Sequence, residues 1–136
     1  CIRDREYADK VAWKPRAKVT AIATVGGSPT LMLNEPVPAA KKVLARAGMT
    51  LNDIDLFEVN EAFSVVAAKF IRDLDLDMNK VNVNGGAMAL GHPIGATGSI
   101  LIGTVLDELE RRDLNTGLIT MCTGGGMAPA IIIERV

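Results

Sequence analysis

Residues 18–25 read KVTAIATV, β-branched and mostly apolar, and the run stops at Gly26 and Gly27. A stretch of that length bounded by glycine predicts a buried strand. Before it, residues 7–14 read as the tail of a helix. After it, residues 28–37 carry two prolines and the polar pair Asn34-Glu35, which predicts a loop. Pro38 suits a first helical turn, Ala39, Ala40, Val43, Leu44 and Ala47 then share one stripe, and Gly48 is the stop. Residues 55–59 predict a second short strand. Residues 61–74 predict a helix, because Phe63, Val66, Ala67, Phe70, Ile71 and Leu74 recur at helical spacing. A third strand at 81–83 leads into the loop NGGAMALGHPIG, and a long apolar helix is expected over 93–112. Residues 118–122 and 129–134 predict two last strands around TGGGM. The order is β-α-β-α-β-α-β-β, an α/β fold. Strands alternating with helices imply parallel pairing, and the last two strands, joined by a glycine turn, should run antiparallel. The third helix is apolar on nearly all sides and calls for cover on both.

A chain of 136 residues is one domain by length, and 49% hydrophobic content against 23% charge supplies ample core. The mean hydropathy of +0.24 is high for a free-standing domain of this size and implies apolar surface meant for another domain or subunit. With a formal net charge of −1 and only five aromatics, no nucleic-acid or anionic-membrane partner is expected. The longest uncharged stretch, 81–106, could span a bilayer by length. Five glycines in its first eighteen residues, with His92 and Pro93 among them, make it strand, loop and buried helix instead. The charged start at Arg3, Asp4, Arg5 and Glu6 does not read as a signal peptide. Cys1 and Cys122 make no disulfide framework, so a reducing, cytoplasmic setting is expected. Opening on Cys1 without an initiator methionine, the chain reads as a piece of something longer, or as a processed one.

In a sheet of parallel strands the loops at the carboxyl ends gather along one edge, where sites are built. Three such loops carry polar groups: VNEAF at 59–63, GHPIGATG at 91–98 and CTGGG at 122–126. Asn60 follows a strand and precedes a helix, a place where asparagine commonly caps a free backbone donor; Glu61 beside it suits the positive helix end. His92, the only histidine, precedes Pro93 and so is expected at a helix N-terminus, where the neutral ring is favoured. It can be a satisfied loop residue, or a base and oxyanion donor that Gly91, Gly95 and Gly98 leave accessible. Cys122 alone reads as a small buried residue. Gly124 to Gly126 after it can adopt positive φ and bare their N–H groups, which a donor to a developing oxyanion requires.

Together and in this order, NEAF, GHPIGATG and CTGGG resemble the carboxyl-terminal half of a thiolase, the acetyl-CoA acyltransferase family. The similarity runs from KPRAKVTAIATVG through EPVPAAKKVLARAG, DIDLFEVNEAF and VNVNGGAMALGHPIGATG to CTGGGMAPAIIIE, nearly the whole chain. Each motif alone is weak; the three together are highly specific. The resemblance implies a thiolase-like half over residues 1–136, a mixed five-stranded sheet with helices packed on it. It implies Cys122 as the acid/base at the α-carbon of acetyl-CoA. His92 would activate a nucleophilic cysteine and donate to the thioester oxygen, and Asn60 would hold a water that completes that oxyanion site. The N–H of Gly124 would serve a second oxyanion hole, with Phe63 and Met88 lining the acyl pocket. No metal and no resident cofactor is called for, coenzyme A entering as substrate.

The family's nucleophilic cysteine and its serine-containing coenzyme loop belong to the amino-terminal half. No segment here matches them, and Cys1 has no nucleophile-like context, so the chain alone is expected to be inactive. Asn34 and Glu35 stand where many relatives have glycine next to the proline. The implied whole is a 3-ketoacyl-CoA or acetoacetyl-CoA thiolase, partnered by acyl-CoA, by the missing amino-terminal half and by further copies of itself. The competing reading is a thiolase-like module without chemistry that serves in assembly. A decarboxylating ketoacyl synthase would be expected to show a second histidine.

Overall fold

The structure is a computed structural model that describes residues 5–136; Cys1 lies outside the described residues. Five helices and four strands alternate: α1 (Arg5–Lys10), β1 (Ala17–Gly26), α2 (Pro36–Ala47), β2 (Leu56–Val59), α3 (Ser64–Leu74), α4 (Ala87–Leu90), α5 (Thr97–Arg111), β3 (Thr116–Thr120) and β4 (Met127–Arg135). The sheet order is β1-β4-β3-β2. β3 and β4 pair antiparallel across the glycine turn, as expected. Only β2 and β3 are parallel, and β1 joins the sheet antiparallel to β4. The alternating pattern therefore overstates parallel pairing: β1 lies next to the last strand and not beside the second.

Alternating side chains divide the core between the two faces of the sheet. On one face Ala23, Phe57, Val59, Leu118, Ala130 and Ile132 pack against α2 and α3, with Phe70 edge-on to Phe57. On the other, Leu56, Ile119 and Ile133 meet Leu101, Val105 and Leu109 of α5. α2 begins at Pro36, two residues earlier than the sequence predicts, since Pro36 and Pro38 both suit the first turn where no N–H is needed. It ends on Gly48 at φ 67°, whose N–H returns to Ala45 O.

The fifth strand expected at 81–83 is absent: Val81 makes a single parallel bridge to Phe57, and Asn82 turns into the left-handed region at φ 47°. The Asn82 side chain takes over the ladder. Its Oδ1 accepts from Val59 N at 2.8 Å and its Nδ2 donates to Val59 O at 2.9 Å, so one carboxamide stands in for a neighbouring backbone at the β2 edge. At the opposite edge, Arg46 and Lys42 of α2 donate to Ile22 O and Thr24 O of β1.

The long helix expected over 93–112 begins at Thr97, behind the separate short helix α4. It is buried along one stripe only, Thr97, Leu101, Val105, Glu108 and Leu109, while Ile100 on another side is exposed. The face of the sheet beside it is also bare. Ile22, Ile102, Ile119, Met121, Pro129 and Ile131 line an apolar groove there. Among the described residues no helix is long and apolar enough to cross a membrane.

Candidate active site

Parallel pairing brings the carboxyl ends of β2 and β3 to one edge, where Asn60 N donates to Thr120 O at 3.0 Å. Asn60 and Cys122 therefore leave the sheet at the same end, each just past its strand. Neither Asn60 nor Glu61 caps the next helix: α3 starts at Ser64, with Phe63 in the capping place. Asn60 is fully buried, and its Nδ2 lies 3.3 Å from His92 Nε2, across thirty-two residues of chain. Glu61 ties down the intervening loop. Its carboxylate accepts from Asn82 Nδ2 and Met88 N and fills the space over Gly86, where a Cβ would sit 2.3 Å from the carboxylate carbon.

His92 does not sit at a helix N-terminus, because Pro93 opens a turn and not the helix: Ala96 N and Thr97 N both return to Pro93 O. What orients the imidazole is Thr97, whose Oγ1 lies 2.7 Å from Nδ1 and itself donates to Pro93 O at 3.0 Å. The single hydroxyl proton of Thr97 is committed to that carbonyl, so Oγ1 must accept from Nδ1–H. In the neutral ring Nε2 is then the unprotonated nitrogen, and Asn60 Nδ2 is its donor. This assignment of tautomer follows from the hydrogen-bond network. Thr97 is the partner of His92 that the sequence reading passes over, although it stands inside GHPIGATG, five residues after His92.

Cys122 is free and 6% exposed, packed within the α2 side of the core. Burial pushes its thiol pKa up, offset in part by its own backbone N–H. Of the three glycines that follow, two have structural reasons. Gly125 and Gly126 hold φ of 84° and 80°, and a Cβ on Gly126 would meet Ser28 O at 2.6 Å. Gly124 has neither constraint. It is exposed, a Cβ there would touch nothing within 4 Å, and its N–H donates to no described acceptor. Gly91, Gly95 and Gly98 also face open space.

Phe63 and Met88 are 58% and 64% exposed, and neither lines the cavity beside Asn60. Glu35, at the departure from the family pattern, lies against Gly27 at the end of β1. The geometry thus joins Asn60, His92 and Thr97 in one hydrogen-bonded chain and puts Cys122 and the open Gly124 at the same edge of the sheet. Such a set can take a proton at an imidazole, offer donors to an oxyanion and exchange a proton at sulfur.

Residues 13–135 match the family model described as thiolase, C-terminal domain. The chain is similar to an acetyl-CoA acetyltransferase of Syntrophomonas wolfei, 47% identical over 98% of this chain and 34% of that protein. It is similar also to a 3-ketoacyl-CoA thiolase of Alcanivorax borkumensis, 48% identical over 99% of this chain and 35% of that protein. The crystal structure of the Bacillus anthracis acetyl-CoA acetyltransferase superposes with a TM-score of 0.93 at 39% identity, covering 98% of this chain and 34% of that one. The chain spans about a third of the length of these relatives. It therefore belongs to the thiolase family, as the carboxyl-terminal domain of that fold.

Proposed function

We propose that this chain is the acid/base half of a 3-ketoacyl-CoA or acetoacetyl-CoA thiolase, acting with an amino-terminal half that supplies the nucleophilic cysteine. The observation that carries the reading is the chain from Asn60 Nδ2 through His92 to Thr97, which makes Nε2 the unprotonated ring nitrogen at the sheet edge where Cys122 emerges. The relatives are about three times the length of this chain, which leaves ample length for an amino-terminal half beside it.

In the degradative direction, His92 Nε2 takes the proton of the partner's cysteine thiol, and the thiolate attacks the 3-keto carbon of the acyl-CoA. The C2–C3 bond breaks, its electron pair passing to the thioester enolate of acetyl-CoA. The imidazolium Nε2–H and a water on Asn60 stabilise the enolate oxygen, and two donors so placed are worth about 2.7–4 kcal/mol each. The Cys122 thiol protonates C2 and releases acetyl-CoA. Coenzyme A thiol then attacks the acyl-cysteine, giving up its proton to the Cys122 thiolate; the nucleophilic cysteine leaves as its thiolate and takes back its proton from the His92 imidazolium as the shortened acyl-CoA departs. The N–H of Gly124 faces the oxygen that becomes negative when the acyl carbon is attacked. Condensation is the same path reversed.

The raised thiol pKa fits a group that is a neutral acid at rest, and a neighbouring imidazolium formed in the first step lowers it when the proton is due. Phe63 and Met88, open here, form the acyl wall once the second half closes over them. The bare face of the sheet beside α5 is the seat of that half, and dimers or tetramers build on it in a cytoplasmic setting.

Mixing the chain with a separately produced amino-terminal half and assaying thiolysis of acetoacetyl-CoA tests the reading. Activity should appear on mixing and vanish in Cys122→Ala. A folded, stable complex without activity would favour the assembly module instead.

A further inference from the structure

β2 reads Leu56, Phe57, Glu58, Val59, and all four residues are buried. Alternation puts Leu56 and Glu58 on the face that meets α5, and Asn60 continues that face just past the strand. A carboxyl at the second of these places is costly in a core unless something uses it. Glu58 is 2% exposed and forms no hydrogen bond or ion pair with any described residue. The two acids near it are already engaged. Glu61 accepts from Asn82 and Met88, while Glu108 of α5 is held by Arg111, Arg112 and Asn84.

A second buried polar group is left over on the same face. The hydrogen-bond chain turns Asn60 Nδ2 toward His92, which leaves Asn60 Oδ1 buried with no donor from the protein. Glu58 and Asn60 both line a cavity of about 30 Å³, together with Gly86, Leu90, Thr97 and Leu101. That is room for one or two water molecules.

We propose that Glu58 is a positioning residue for Asn60: its carboxyl O–H donates across this cavity, through one water, to Asn60 Oδ1. The carboxamide is thereby fixed with Nδ2 toward Nε2 of His92, and the tautomer of the imidazole is held from both ends, by Thr97 at Nδ1 and by Glu58 through Asn60 at Nε2. Burial first, and then the charges of Glu61 and Glu108, push the Glu58 carboxyl up to about 8, so that it carries its proton at neutral pH. Among the described residues no cation pairs with it to draw the proton off. The inference rests on the reading of His92 as the base, but its test reads the imidazole and not turnover.

Because His92 is the only histidine, ¹⁵N spectra of its ring report the tautomer without assignment. In the 136-residue chain the ring should be the single Nδ1–H form. Glu58→Gln, which keeps a neutral donor, should preserve that form. Glu58→Leu, which removes the donor, should give a mixture of tautomers, and a loss of roughly 10–100-fold in kcat at little-changed KM when paired with an amino-terminal half. ¹³C observation of the Glu58 carboxyl should show it protonated at pH 7, with its midpoint displaced in Asn60→Ala. A carboxyl ionised at pH 7, or an unchanged ring in a folded Glu58→Leu chain, overturns the proposal; if the leucine variant does not fold, the carboxyl measurement alone decides. A coupled carboxyl and ring without recovered thiolysis would instead refute the thiolase reading and leave this one standing.

Discussion

Three adjacent glycines offer a test in which stability and chemistry separate. Gly126→Ala puts a side chain into the left-handed region at φ 80°, which costs about 1–2 kcal/mol. It also drives a Cβ to 2.6 Å from Ser28 O, a backbone atom in the loop after β1. Overpacking of that kind adds about 1–3 kcal/mol. The sum, about 2–5 kcal/mol, lowers the midpoint of urea unfolding by roughly 1–2 M at the m-value of a chain this size. Gly124→Ala meets no atom within 4 Å and keeps φ negative, so its midpoint should stay within the scatter of a surface change, about 0.5 kcal/mol. In the reconstituted enzyme it is this quiet substitution that should reduce kcat, by roughly 10²–10³-fold if the methyl turns the oxyanion away from its N–H. Equal destabilisation by the two alanines, or full activity in Gly124→Ala, would refute the division of labour argued for this loop.

Asn82→Ala removes two bonds to the Val59 backbone and should destabilise by about 2–4 kcal/mol in the same urea assay, more than the loss of an ordinary surface asparagine. Thr97→Val takes away the acceptor of Nδ1–H, and the ring spectrum should show a rise in the Nε2–H form; an unchanged spectrum would break the tautomer assignment. Stability against pH should have two limbs of opposite sign. Glu108, drawn down to about 2 first by Arg111, contributes stability that is complete above pH 4.5 and is lost as the pH falls toward 2. Glu58 binds its proton more tightly folded than unfolded, so stability falls as pH rises from 4.5 through about 8, and Glu58→Gln should flatten that upper limb alone.

What could be read from the residues was local. The stripe of α2 with its Gly48 stop, the β3–β4 turn and the run of β1 follow from periodicity and glycine placement, and the structure has them. Strand partners were not legible, because β1 finds β4 across a hundred residues and no short-range pattern records that register. The false fifth strand came from VNV, whose alternation is right for a strand; the left-handed Asn82 and its side-chain bonds to Val59 are tertiary facts. The early start assigned to α5 came from Pro93, which serves a turn as well as it serves a first helical residue. At the site, the contact of Asn60 with His92 agrees with the set read from NEAF and GHPIGATG. Thr97 and Glu58 were missed for opposite reasons: one sits inside a motif whose histidine draws the eye, and the other is a single acid in an apolar run.

At both margins of the sheet side chains take up backbone groups, Asn82 those of Val59 in β2 and the cations Arg46 and Lys42 two carbonyls of β1. Backbone groups so occupied give a stray strand fewer places to zip onto, so the usual route to fibrils is blunted even while a broad oily face stays uncovered. Partners can therefore add to this molecule by stacking on its flat side and not by lengthening its ribbon. Crowding by hydrophobic contact should yield compact, detergent-dispersible clusters in place of ordered filaments.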